Sequence, residues 1–348
     1  MESTEQITTR DRNLDIYRGC IMMYIVGIIH TISIYSNWYE NTAATLLLIE
    51  MPVVFYISGA AYSLSSKKSY PQYIWGRVKR IIPPYYIFIA IITIANYFKQ
   101  CIWGYTSTNE FIRHFIENRY YSIFIEEIYG LEHIWFVPTY LKIALILPLL
   151  YRISQKITVN GLYVLLGISA TILYFIPNHE VCYAVFALAG MYYQKSKPYN
   201  KYLLLSITML LMILCYKNGY SINMQINKFP ANLFFLSYAA FMLLLLKKPL
   251  QRLCLLLART PIKHLIAIYA KHDFCIYLYH TAVISSFVHL MAYLFTPALH
   301  NPAISLPIAT IYTLIISAIA GIFLDKTNHI ITRKLSKLWN KTRPIFVR

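Results

Sequence analysis

The sequence predicts an all-α fold: a polytopic membrane bundle of about ten transmembrane helices with both termini in the cytoplasm. Three observations support this prediction. Of the 348 residues, 58% are hydrophobic and only 13% are charged, whereas a soluble domain has about 25% charged residues. Apolar runs of about 20 residues, long enough to cross a bilayer as a helix, recur along the chain. Basic residues are concentrated in alternate connections between these runs.

The apolar runs make up a single membrane domain over residues 1–348, in which we find no soluble domain and no internal repeat. The polar N-terminal stretch lacks the short apolar core and the cleavage site of a signal peptide. We therefore expect the first span to be an uncleaved anchor. By length and apolarity, the spans are predicted at 17–36, 43–64, 81–101, 134–153, 160–177, 180–194, 202–217, 231–246, 272–295 and 303–324.

Loop charges predict the orientation of the bundle. Lysine and arginine are frequent in the connections after spans two, four, six and eight and in the C-terminal tail. The connections after spans one, five and nine contain neither residue. By the positive-inside rule, this alternation places both termini in the cytoplasm and requires an even number of spans. The rule also accounts for the net charge of +18, so we expect a multi-pass protein of the inner or plasma membrane with no nucleic-acid partner.

No metal site and no disulfide framework are predicted. The six cysteines are dispersed through or beside the apolar spans and form no C-x-x-C pair, which argues against both a zinc site and paired thiols. The histidines are scattered without the spacing of metal ligands. We expect the cysteines to be small core residues.

Two ionisable residues mark the first span. Arg18 stands at its cytoplasmic entrance and His30 lies deep inside it, with eleven residues between them. An ionisable side chain inside a membrane span is costly and by default indicates a functional site. The alternative is that a neutral His30 hydrogen-bonds a neighbouring helix as structural glue.

Arg77 and Arg80 precede the third span in an R-x-x-R-x-x-P element that ends at Pro83. If a helix begins here, the two arginines share one face because they are three residues apart. Two guanidinium groups on one face suit a phosphate ligand. The alternative is an ordinary basic flank of a membrane helix.

Further polar residues lie in later spans. His133 opens the fourth span, where simple anchoring at the membrane interface is the alternative to a functional role. His280 is a second histidine within a span, the ninth. Lys142, within the fourth span, either reaches the membrane surface or pairs with a carboxylate. For Ser58 and Gly59 in the second span, close helix packing is the favoured interpretation.

Two connections are long. The outer one, 103–132, has apolar residues at roughly helical spacing, which favours a helix in the membrane interface. The alternative is that its tyrosines and glutamates form one wall of a sugar-binding cleft. The inner one, 247–271, is predicted to be an amphipathic helix on the cytoplasmic leaflet, without a chemical role.

Five of these elements resemble, in order, the signature of the acyltransferase-3 family of integral membrane acyltransferases. In this chain they are Asp15 with Arg18 and His30, FYISG at 55–59, R-x-x-R-x-x-P at 77–83, HIWF at 133–136 and IYLYH at 276–280. The family pattern commonly has ten residues between the arginine and the histidine, where this chain has eleven. One extra residue turns the histidine by about 100° on a straight helix. Either a local bulge in the first span accommodates the extra residue, or Arg18 and His30 do not have the family's roles.

The resemblance implies an O-acyltransferase. It would move an acetyl or another short acyl group from cytoplasmic acyl-CoA to a hydroxyl of an extracytoplasmic glycan. Acyl-CoA would be the donor substrate, with no permanently bound cofactor. Expected partners are the glycan acceptor, the lipid bilayer and either polysaccharide-assembly proteins or a second copy of the chain.

The chemistry of this reaction suggests roles for six residues. His30 is the expected base, because an imidazole titrates near neutral pH and an alcohol needs proton removal. We expect His133 and His280 to orient the thioester or to relay protons. The expected ligands of the coenzyme A phosphates are Arg18, Arg77 and Arg80. From Arg18 to His30 the helix rises about 18 Å, which is about the reach of an extended pantetheine arm.

Two other functions use the same features differently. A transporter or flippase for a glycan or lipid-linked sugar is the main alternative, because polytopic chains with histidine and arginine inside the membrane are common among transporters. Such proteins often have two matching halves, which this sequence does not show. A non-catalytic scaffold would not require Arg18 and His30 within the membrane.

Overall fold

The computed structural model describes residues 11–33, 39–65, 68–102, 104–124, 132–194, 200–294 and 301–342. These residues form helices and short turns with no β-strand among them, which confirms the all-α class. Parts of several predicted segments lie outside the described residues, namely 34–36 of the first span, 295 of the ninth, and 103 and 125–131 of the outer connection.

In chain order, the α-helices are α1 (Arg12–Tyr24), α2 (His30–Ile32), α3 (Thr42–Thr45), α4 (Glu50–Leu64), α5 (Tyr70–Tyr97), α6 (Thr108–Glu117), α7 (Phe136–Lys156), α8 (Val159–Phe175), α9 (His179–Gly190), α10 (Lys201–Lys217), α11 (Met224–Lys228), α12 (Leu233–Leu257), α13 (Lys263–Lys271), α14 (Asp273–Leu294) and α15 (Pro302–Thr342). A π-helical turn, Ile25–Ile29, joins α1 to α2, and a second one, Phe98–Ile102, follows α5. A short 3-10 helix, Glu132–Trp135, precedes α7.

Long apolar helices make this a multi-pass membrane protein. Among the described residues, six helical stretches are long and apolar enough to cross a bilayer: Arg12–Ile32, Thr42–Leu64, Tyr70–Cys101, His133–Lys156, Leu233–Leu257 and Ala303–Lys334. Shorter apolar helices span Val159–Phe175 and His179–Gly190. Each predicted span overlaps at least one observed helix. The count of ten membrane crossings and the cytoplasmic location of the termini stay predictions.

Polar side chains define where several helices begin. Asn and Thr residues directly before α8, α9, α10 and α12 each accept a hydrogen bond from a backbone N–H of the first turn. Before α6, Ser107 and Glu110 form a capping box, and its hydrogen bonds lower the pKa of the Glu110 carboxyl. Such residues supply acceptors for N–H groups that have no partner within the helix.

Two helices extend beyond their predicted spans. Helix α5 begins at Tyr70, so Arg77 and Arg80 lie about two and about three turns inside it. Helix α12 continues through Pro249 to Leu257. The inner connection therefore contains the end of α12 and the separate helix α13 rather than one interfacial helix. Helix α13 packs on α1 so closely that a Cβ atom at Gly19 would overlap the carbonyl of Ile266.

Two glycines allow α4 and α9 to pack backbone against backbone. A Cβ atom at Gly59 would overlap the carbonyl oxygen of Ala187, and one at Gly190 would overlap that of Tyr56. Small residues permit such close approach in membranes, where helix association depends on packing. The packing interpretation of Gly59 agrees with this contact.

We expect Gly59→Ala to destabilise the protein by about 1–3 kcal/mol, because the added methyl group forces α4 away from α9. Gly76→Ala is the matched control. Gly76 is also helical, and a Cβ atom there would meet nothing within 4 Å. The midpoint of thermal unfolding in detergent measures both effects. Equal midpoints for the two variants would contradict the close packing.

Candidate active site

A cavity of about 130 Å³ lies among α1, α4, α5, α7 and α14. The three arginines predicted as phosphate ligands, Arg18, Arg77 and Arg80, all line it, although they come from two helices. Asp273 is the one carboxylate among the residues that line the cavity. The lining therefore carries an excess of positive charge.

Each arginine has a contact that holds its position. Arg80 forms an ion pair with Asp273, with 2.7 Å between Nη2 and Oδ1. The guanidinium of Arg77 lies over the ring of Tyr73, 5.2 Å from its centroid. Arg18 is 3.4 Å from Asp15, one turn earlier on α1. The side chains of Arg18 and Arg80 keep 24% and 49% of their surface exposed, so they remain accessible to a ligand.

The three predicted histidines meet at one point, although they come from separate parts of the chain. Nδ1 of His30 and Nε2 of His280 share a hydrogen bond, and the two rings are nearly parallel, with centroids 4.5 Å apart and 17° between their planes. The ring of His133 meets that of His280 edge-on, with centroids 4.9 Å apart. His133 and His280 are buried.

The hydrogen bonds assign protons to this pair of rings. Nδ1 of His280 lies 2.5 Å from the carbonyl oxygen of Tyr277, so it must donate there. Nε2 of His280 then accepts, and the hydrogen bond between the rings is donated by Nδ1 of His30. This assignment leaves the lone pair on Nε2 of His30 without a hydrogen-bond partner among the described residues.

The ring of His133 is fixed on both sides. Its Nε2 lies 3.2 Å from the carbonyl oxygen of Leu278, and its Nδ1 lies 3.2 Å from the hydroxyl of Thr281. The Tyr277 hydroxyl donates to the backbone carbonyl of His133 at 2.5 Å. These bonds attach the start of α7 to α14 and fix the wall against which His280 packs.

The histidine cluster adjoins the arginine-lined cavity, although none of the three histidines is among the residues that line it. Tyr277 lines the cavity, and its ring centroid is 5.4 Å from that of His280. Ile25 also lines the cavity and lies five residues before His30 on the same helical segment. Between the arginines and this end the lining is largely apolar, with Met51 and Phe136 among its residues.

A π-helical turn separates Arg18 from His30. It covers Ile25–Ile29, and the backbone N–H of His30 bonds to the carbonyl of Ile25, five residues earlier. A π turn holds one more residue than an α turn. Of the two alternatives posed by the eleven-residue spacing, the structure therefore contains the bulge.

Sequence reasoning missed a buried ion pair beside the histidines. Glu50 and Lys228 bond to each other with side chains only 1% and 5% exposed, and the Lys228 ammonium lies 5.8 Å from the centroid of the Trp135 ring. Lys228 also interacts electrostatically with His30. Glu50 falls inside a predicted span, so the rule that singled out His30 applied equally to it.

Two further contacts bear on the sequence predictions. Lys142 pairs with Glu180 at 2.5 Å, so of its two predicted alternatives the pairing with a carboxylate is observed. Among the described residues, no three His, Cys, Asp or Glu side chains are grouped so as to hold a metal ion.

Comparison with known proteins gave one match. The model of the acyltransferase-3 family, described as an acyltransferase domain, matches residues 11–322. This range includes all six predicted site residues and confirms the resemblance inferred from the five sequence elements. No curated protein and no solved structure matches the chain.

The π turn gives a testable prediction. Deleting Ile28, which is 41% exposed, should convert the π turn to an α turn and leave His30 facing His280. Inserting one alanine after Met23 should instead turn His30 and the buried Thr31 by about 100° towards lipid. We expect the insertion to lower the thermal unfolding midpoint far more than the deletion, with both measured in the same detergent. An equally stable insertion variant would refute the role of the turn.

Proposed function

Because the chain belongs to the acyltransferase-3 family, we propose that it moves an acetyl or another short acyl group from acyl-CoA to a hydroxyl of an extracytoplasmic glycan. The family and the long apolar helices make it a membrane acyltransferase. The donor, the acceptor and the residue roles are proposals. The observation that supports them best is that Tyr277, which lines the cavity of the three arginines, also contacts the histidine cluster through His280.

The arginine end of the cavity suits the donor's phosphates. Coenzyme A carries a diphosphate and a 3′-phosphate, and guanidinium groups bind phosphate through paired, charge-assisted hydrogen bonds. Arg18, Arg77 and Arg80 supply three such groups on the side predicted to face the cytoplasm. In this proposal, the ion pair with Asp273 holds the Arg80 guanidinium at the cavity, and a bound phosphate then contacts the same guanidinium.

The dimensions of the site suit the pantetheine arm. Arg18 and His30 are separated by about 18 Å of helix, and apolar side chains such as Met51 and Phe136 line the cavity together with Tyr277. With its phosphates at the arginines, the donor would place its thioester beside His30. The acceptor hydroxyl would then approach from the opposite, predicted extracytoplasmic side.

The free lone pair of His30 makes it the proposed base. Nε2 of His30 takes the proton of the acceptor hydroxyl as the oxygen attacks the thioester carbonyl. The C–O bond of the new ester forms, the C–S bond breaks, and the proton passes to the departing thiolate to give coenzyme A. During transfer, Nε2 of His280 accepts from Nδ1–H of His30 and stabilises the transient imidazolium.

The other two histidines are proposed to position His30. His280 fixes the tautomer of His30, because its own Nδ1–H is committed to the Tyr277 carbonyl. His133 has partners for both ring nitrogens, so we assign it the support of His280 rather than proton transfer. The buried Lys228, which is paired with Glu50, interacts electrostatically with His30.

We expect His30→Ala to reduce acyl transfer by about 10²–10⁴-fold while coenzyme A affinity changes little, because only the base is lost. The assay uses purified protein in detergent, labelled acetyl-CoA and a panel of glycans. His289→Ala is the matched control, since His289 is an exposed histidine on the same helix as His280. Full activity of His30→Ala would exclude His30 as the base. Wild-type glycan binding without transfer or donor hydrolysis would favour a transporter.

We expect Arg80→Ala to weaken coenzyme A binding about tenfold or more, because a charge-assisted hydrogen bond to phosphate is lost. Binding of S-acetylpantetheine, which lacks these phosphates, should be unchanged. Arg252→Ala removes an exposed arginine of α12 outside the cavity and serves as the control. Titration calorimetry measures all three affinities. If Arg80→Ala binds coenzyme A like the control, the phosphate role is wrong.

A further inference from the structure

A second cavity, of about 450 Å³, lies among α4, α8, α9, α10 and α12. It shares no lining residue with the arginine-lined cavity. Leucine, alanine and other apolar side chains form most of its wall, with Leu166, Ala170, Leu211 and Ala240 as examples. Coenzyme A and an acceptor sugar are too polar for such a wall, so the cavity requires a different ligand.

One end of this cavity is positively charged. Lys201, Lys247 and Lys248 line that end, and none of the described lining residues is an aspartate or a glutamate. The Lys247 ammonium also bonds to the Tyr56 hydroxyl. All three lysines lie on the side of the bundle predicted to face the cytoplasm. Basic pockets between membrane helices on this side suit anionic headgroups.

The depth of the cavity matches one leaflet of a bilayer. Along α12, the lining extends from Leu236 to Lys247 and Lys248, which is about 17 Å of helix. Half of a hydrocarbon core is about 15 Å. Ile207, which lines the cavity, is 37% exposed.

We propose that this cavity binds an anionic phospholipid of the cytoplasmic leaflet, with one acyl chain in the apolar part and the phosphate at the three lysines. The shape, the depth and the sign of the charge each fit this ligand. A zwitterionic lipid would leave the lysine charge uncompensated, and a long polyprenyl chain would exceed the depth of one leaflet. The bound chain would fill a space that otherwise separates α10 and α12 from α9.

The test measures lipid retention by the delipidated full-length protein in detergent, using native mass spectrometry and thermal unfolding. Dioleoyl-phosphatidylglycerol and dioleoyl-phosphatidylcholine have the same chains and differ in charge. We expect the first to be retained roughly tenfold more and to raise the unfolding midpoint. Glycerol phosphate and inorganic phosphate, which lack chains, should leave the midpoint unchanged.

Three variants separate the two parts of the proposed site. The double variant Lys201→Glu/Lys248→Glu should reduce phosphatidylglycerol retention roughly tenfold or more. Gly167→Leu should reduce it by filling the cavity, since a Cβ atom at Gly167 meets nothing within 4 Å. Lys263→Glu, at an exposed lysine of α13 outside the cavity, should retain the lipid normally.

Several results would overturn the proposal. One is equal retention of the two dioleoyl lipids, and another is an unfolding midpoint that phosphate alone raises as much as the lipid does. Tighter binding of a polyprenyl phosphate would also contradict the proposal, as would equal lipid retention by the double lysine variant and Lys263→Glu. The lysine variants change accessible side chains, so their result holds even if Gly167→Leu fails to fold. None of these measurements depends on acyl transfer.

Discussion

The hydrogen bond between His30 and His280 constrains the path of the first helix. The same helical segment must also direct Arg18 into the cavity three turns earlier. On an uninterrupted α-helix, the twelve steps from Arg18 to His30 would place the two side chains about 120° apart. The π turn at Ile25–Ile29 holds one residue more than an α turn. The angle around the helix axis between the two side chains is therefore reduced to about 20°. The turn therefore lets one helix serve both ends of the site.

Among the described residues, most nitrogens of the three histidines are paired through neutral groups, and Nε2 of His30 is the exception. Both nitrogens of His133 and of His280 have partners, and two carbonyl oxygens of α14 accept from these rings. Such a network is rigid when its members are paired. Burying a neutral imidazole in a membrane costs far less free energy than burying an ion. Glu50 and Lys228 nevertheless form a buried ion pair. Because burying an ion pair rarely adds stability, its position beside His30 favours a role in the site rather than in folding.

Sequence patterns predicted the helices and named six candidate site residues, but they did not predict how those residues are arranged. Hydropathy located each apolar segment, yet it marks the part of a helix that suits lipid rather than its ends. This explains why α5 begins at Tyr70 and α12 continues through Pro249. The contact between His30 and His280 joins residues 250 positions apart, and no local periodicity encodes such a pairing. Glu50 was overlooked although it lies in a predicted span, whereas Lys228 lies in a connection and gave no signal.

The two cavities differ in the kind of cation at their charged ends, and this difference accounts for the different ligands proposed for them. Arg18, Arg77 and Arg80 carry planar groups with donors in a fixed geometry, which suits a ligand whose phosphates must be held in one orientation. The second cavity has lysines, whose ammonium groups are point charges on flexible stems and tolerate a headgroup that moves with the leaflet. The first cavity adjoins the histidine cluster through Tyr277. The close packing of α4 on α9 through Gly59 and Gly190 keeps these helices rigid between the two ligands. A lipid in the second cavity would therefore support the helices that line the proposed active site without entering it.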